Sequence, residues 1–150
     1  MKSIKYLSCI LVLLIIGLIV LNIYYKNHSF NKPDFEENVE TINIEDYENT
    51  KVNVNSDYSF YATHSPKIED GYMTIEFANL SSENVYLKLR VMQGKNIIGE
   101  SGLIKTGEMV EKVKINEDLV KKNFVFLIMS YEKDTYYSLG EVKLNVKVGE

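Results

Sequence analysis

From Ile4 to Tyr25 the chain is apolar at nearly every position, with LSCILVLLIIGLIVLNI at its centre over residues 7–23. No polar stripe recurs within it. A run of 22 residues makes about 33 Å of α-helix, which matches a bilayer hydrocarbon core of roughly 30 Å. The pattern predicts a spanning helix over residues 1–26, bracketed by Lys2, Lys5 and Lys26 and by an aromatic belt of Tyr6, Tyr24 and Tyr25. After residue 50 the period changes to two. Met73, Ile75 and Phe77 alternate with Tyr72, Thr74 and Glu76, and Val85, Leu87, Leu89 and Val91 alternate with Tyr86, Lys88 and Arg90. Each series predicts a half-buried strand, and the turn residues Asn79 to Asn84 predict that the two pair as a hairpin.

Gln93-Gly94-Lys95-Asn96 predicts a tight hairpin, and Leu103 and Ile104 are expected to plug the core from a loop between glycines. Val113 and Ile115 alternate out of phase with Val110, which a bulge near 110–111 repairs. Asn116 to Asn123 has the caps and charge order of one helical turn. FVFLIM at 124–129 is apolar on both parities, as a central strand covered on both faces or a buried helix would be. Val142, Leu144, Val146 and Val148 then alternate to the end. Six or seven short strands without a long helical stretch among them predict an all-β fold, an immunoglobulin-like antiparallel β-sandwich of about seven strands.

The Asn79 to Asn84 turn and the later Ser101-Gly102-Leu103-Ile104-Lys105-Thr106-Gly107 carry a resemblance. Over residues 70–148 the chain resembles uncharacterised membrane-anchored β-sandwich proteins of low-GC Gram-positive bacteria. The resemblance implies the sandwich fold and a membrane location, and no activity. Leu119 to Phe124 also resembles the tyrosine corner of immunoglobulin-like sandwiches, with Phe124 standing where the tyrosine belongs.

Charge divides the chain further. Residues 1–32 carry four lysines and no acid, residues 33–50 carry seven acids and no base, and from Lys51 onward 13 bases face 14 acids. The acidic stretch, with few apolar residues, predicts a flexible tether over 27–50, although Val39, Ile42 and Ile44 could lay its end down as an edge strand. No basic stripe serves nucleic acid. The first apolar run ends in no small-residue tripeptide, so it reads as an uncleaved signal anchor, and Cys9 precedes too much of it for a lipoprotein box. A few residues precede it and more than a hundred follow. Long domains translocate largely regardless of charge, so the carboxy-terminal domain, 51–150, is expected outside the cytoplasm of a single-pass cell-membrane protein.

Candidate chemistry is sparse. The single cysteine lies in the apolar run, and the two histidines are His28, beside that run, and His64, in a loop before a proline. Nucleophilic catalysis and zinc both ask for more than this. The paired carboxylates Glu69-Asp70, Glu117-Asp118 and Glu132 with Asp134 sit at turns, where they could hold calcium or simply keep the tips soluble. Neither cofactor nor metal is expected, and the residues argue against an enzyme. Tyrosine is the enriched aromatic, 11 residues with no tryptophan. Tyr58, Tyr61, Tyr136 and Tyr137 are the candidate ligand-binding residues, as flat rings with a polar handle. The expected role is a non-enzymatic protein-interaction module in a cell-surface or transfer assembly, its partners the bilayer and another membrane or envelope protein. The alternative is a binding module for cell-wall carbohydrate or peptide.

Overall fold

The computed structural model describes residues 2–28, 32–54, 58–81, 84–116 and 123–148, and within the first helix the side chains of 11–25. The chain divides into two compact units, 1–32 and 33–150.

The first unit is a helix, α1 (Lys2–His28), of 27 residues. Its large apolar side chains from Leu11 to Tyr25 are all about half exposed or more, Leu13 at 68% among them. Among the described residues no helix is long and apolar enough to cross a membrane; the described side chains of α1 number 15, about 22 Å of helix.

The second unit consists of two mostly antiparallel sheets sharing one core, a sandwich-like all-β architecture. One sheet runs in the order β1 (Glu40–Thr41), β8 (Glu108–Lys114), β5 (Tyr72–Asn79), β3 (Ser59–Tyr61), β2 (Val52–Asn53), with β4 (Ile68–Glu69) also on β5. The other runs β10 (Ser138–Lys147), β9 (Asn123–Glu132), β6 (Val85–Gln93), β7 (Asn96–Glu100). Period-two alternation supplies the core. Met73, Ile75 and Phe77 from one sheet meet Leu87, Leu89, Val91, Phe126 and Ile128 from the other, all at 0% exposure. From the loop before β8, Ile104 joins this core, while Leu103, equally buried, lies outside it and is bridged to Phe35.

The expected hairpin between β5 and β6 does not form. β5 pairs with β3, β4 and β8, and β6 with β7 and β9, so the chain crosses from one sheet to the other between them. Both strands present an apolar row on one face. Packing those rows against each other removes both from water, which edge-to-edge pairing does not do. Asn79 holds the crossover: wholly buried, its Nδ2 donates to the carbonyls of Val85 (2.9 Å) and Ile104 (3.1 Å), and its Oδ1 accepts from the N–H of Ser81 (3.0 Å). The β6–β7 hairpin turns through Gly94 at φ +61°. The register of β5 on β8 shifts between Thr74 and Phe77, with Glu76 at φ +40°, where the buried positions of β8 change phase from Val110 to Val113.

The acidic stretch is no free tether beyond Pro33. Phe35 bridges to Leu103, β1 pairs with β8 through Glu40↔Met109 and Thr41↔Glu108, and Ile44–Tyr47 form a 3₁₀ turn capped by Asn43. The Glu36 carboxylate accepts from the Gly102 N–H at 2.7 Å, while the Glu36 N–H donates to the Leu103 carbonyl at 2.9 Å. Gly102 is required there, because a Cβ on it would lie 2.6 Å from the Phe35 carbonyl carbon. Gly107, at φ +77°, accepts from the Ile42 N–H. A few well-placed contacts thus order a segment whose composition reads as solvated.

β9 is central, but only one face of it meets the core. Phe124, Phe126 and Ile128 point inward, whereas Val125 and Leu127 are half-buried on the outside. Leu127 sits in register between Arg90 and Lys143, and Met129 between Lys88 and Glu141. The aliphatic stems of long polar side chains are suited to covering such positions, which accounts for a strand apolar on both parities. The helical turn expected at 116–123 lies, apart from its ends, outside the described residues, as does Leu119.

Candidate functional site

The four candidate tyrosines do not form one platform. Tyr58 is 3% exposed, its hydroxyl directed at the Ile128 carbonyl (3.5 Å), and burial pushes its pKa up while a hydrogen bond to Ser130 opposes that. It is a core residue, because Phe60 and the β9 backbone enclose it. Tyr61 on β3 packs against Tyr47 of the acidic stretch (5.2 Å between centroids), and its hydroxyl donates to the Glu76 carboxylate at 3.4 Å. Burial first, then the Glu76 charge, raises its pKa. Tyr136, at φ +59°, stacks on Tyr86 at 5.8 Å, and Tyr86 in turn meets Phe35 edge-on at 5.0 Å. Tyr137 is 71% exposed in the β9–β10 connection. The rings of Tyr61 and Tyr86 therefore pack against the acidic stretch.

A cleft of about 990 Å³ opens beside β7 and β8, lined by Asp70, Ile98, Glu100, Lys114 and Asn116. Its central charge is already matched. Glu100 meets Arg90 Nε at 2.8 Å and Lys88 Nζ at 3.1 Å. Burial alone would raise the Glu100 carboxyl, but hydrogen bonds from Arg90 and Lys88 and their charges outweigh it and hold the carboxyl below its ordinary range. No cluster of His, Cys, Asp and Glu suited to a metal occurs among the described residues, and each of their buried side-chain polar atoms has a hydrogen-bond partner.

Compared with protein-family models, curated proteins and solved structures, the chain matches none.

What distinguishes the described surface is the outer edge of β10. The other edges are short or tied: β1 and β2 have two residues each, and β7 is joined to β8 by the Gly99↔Ile115 bridge and by the Asn116 N–H donating to the Ile98 carbonyl. β10 has ten residues and, among the described residues, pairs only with β9.

Hydrogen-bond parity identifies which of its groups are open. On β6 the N–H of Leu87 bonds to the Ile104 carbonyl and that of Leu89 to Ser101 Oγ (3.0 Å), both away from β9. Alternation then assigns Lys88 and Arg90 to β9, and on β9 assigns Phe124, Phe126, Ile128 and Ser130 to β10. Their β10 partners are Val146, Leu144, Val142 and Gly140. The N–H and C=O of Glu141, Lys143, Asn145 and Lys147 are left facing the open edge. In sequence these four are simply the polar half of an alternating strand; the missing signal was which neighbour β10 has on each side.

Proposed function

We propose that the chain is a membrane-anchored extracytoplasmic protein-interaction module, a non-enzymatic sandwich that receives an extended segment of another polypeptide along β10. The single observation that carries this is the ten-residue edge of β10, which among the described residues has no strand along its outer side, whereas β6 and β9, the other strands of nine residues or more, are paired on both sides. Exposed edges bind by main-chain hydrogen bonding, with side-chain contacts supplying selectivity. The anchor is read from the apolar run of 22 residues and from the all-round exposure of the α1 side chains from Leu11 to Tyr25, a surface that suits lipid. Placement outside the cytoplasm follows from the length of chain after the helix.

An immunoglobulin-like Greek key is the finer fold reading. β3, β5 and β8 take the places of strands A, B and E, and β6, β9 and β10 those of C, F and G. β7 lies beside C instead of completing the first sheet, a departure from the constant-type arrangement.

Site-specific photo-crosslinking in intact cells tests the module. A photoreactive side chain at Lys143 or Asn145 of the full chain is expected to give a discrete protein adduct in the membrane fraction, and one at Lys133, in the adjoining turn, is not. No adduct at either edge position, or equal adducts at all three, would contradict the edge as the site.

A further inference from the structure

Resting on the reading of β10 as a docking edge, we infer that its occupant is the β10 strand of a second copy, paired antiparallel about a two-fold axis through Leu144.

The geometry of the edge restricts self-pairing severely. Only Glu141, Lys143, Asn145 and Lys147 present backbone groups outward, so these four must face one another across the axis. This restricts the pairing to registers in which odd positions oppose odd positions. β10 is regular over 140–147, with an irregularity between Ser138 and Gly140, where Gly140 has φ +136°. Pairing about Leu144 uses the whole of 141–147, whereas pairing about Val142 uses only 140–144 before the irregularity intervenes.

Charge separates the remaining registers. About Lys143 the two copies of that lysine face each other, and about Asn145 each Lys143 faces a Lys147. Like charges directly opposite are destabilising. About Leu144, Glu141 of one copy faces Lys147 of the second copy, and Lys143 faces Asn145, so no like charges meet. These four side chains are exposed on the outer face. Glu141 and Lys143 of one copy pair with each other at 3.4 Å, a contact more than half exposed on both sides, and such an exposed pair is weak enough to be exchanged for partners across the axis.

The inner face agrees with the charge pattern. Val142 and Leu144 are only half-buried and pack at the margin of the core. About Leu144 they meet Val146 and Leu144 of the second copy, which extends the core across the axis and covers their remaining apolar surface. Lysines on an edge ordinarily discourage pairing; here the one register that uses the full strand supplies each of them with an acidic or amide neighbour. Two chains anchored in one membrane would also meet at a raised effective concentration.

Cysteine crosslinking of the full chain in membranes, in a Cys9→Ser background, reads the register directly. Residues opposed in an outward-bonding pair have Cα atoms about 5.5 Å apart, within disulfide range. Glu141→Cys mixed with Lys147→Cys is expected to give a dimer on mild oxidation, and neither alone. Dimer from Lys143→Cys alone, or from Glu141→Cys mixed with Lys143→Cys, overturns the register, and absence of dimer from every combination overturns self-pairing. A charge swap gives a readout independent of thiol geometry. Glu141→Lys should lower dimer affinity by about tenfold, a loss that Lys147→Glu in the same chain restores; no loss, or a loss without restoration, counts against it. If the cysteine pairs fail while the photoreactive Lys143 still captures a different protein, the docking edge survives and the second copy does not. If both fail, the edge reading falls as well.

Discussion

Asn79 is the residue on which the crossover between the sheets depends, since its side chain bonds two carbonyls and one N–H in a region shut off from water. Replacing it with Ala leaves those groups buried without partners, at a cost of about 1–3 kcal/mol. Chemical denaturation of the full chain in detergent should show a loss of that size; a change below about 0.5 kcal/mol would mean that other groups take over. Glu100 makes a second, pH-dependent contribution. Its carboxyl is held below the ordinary value of 4.5, so its stabilising effect is complete above that value and is lost as pH falls through the lower folded-state pKa. Glu100→Gln should therefore flatten the decline of the unfolding midpoint as the pH falls below the ordinary carboxylate range, and equal declines in both proteins would sink this. Neither role could be read from sequence. An asparagine in a polar turn and a glutamate at the end of a short strand look solvated until three-dimensional neighbours are known.

At the scale of elements, alternation made the faces of β5, β6 and β10 legible, because side chains in a strand alternate whatever the strand pairs with. The same rule says nothing about which edge meets which, so the crossover at 79–85 read as a hairpin. The ordering of 33–47 was hidden for another reason. Phe35, Tyr47 and the Glu36 carboxylate act singly and at irregular spacing, against a composition dominated by acids. The test is Gly102→Ala, whose methyl would overlap the Phe35–Glu36 backbone. It should release the arm at a cost of about 1–3 kcal/mol and bring protease cleavage within 33–42 while β9 and β10 stay resistant. Unchanged cleavage would show that the arm accommodates the methyl.

At the scale of the whole molecule, the chain carries an apolar helix and a two-sheet domain whose long open edge, among the described residues, is β10. The helix was legible because an unbroken apolar run is a strong signal; the edge was not, because it depends on strand order in space. Membranes washed in alkaline carbonate should retain the full chain and lose a chain lacking residues 1–28, and protease added to intact protoplasts should digest the domain. Release of the full chain, or protection of the domain, would overturn the anchor or its orientation.

The most direct measurement of the central claim is residue-resolved amide hydrogen exchange across β10, with the full chain dilute in detergent and then in its native membrane. In dilute detergent the amides of Glu141, Lys143 and Asn145 should exchange rapidly while those of Val142, Leu144 and Val146 stay protected by β9. In the membrane the odd-numbered set should become protected as well. Equal, rapid exchange of Glu141, Lys143 and Asn145 in both settings would contradict the account, for it would mean that no strand occupies the edge.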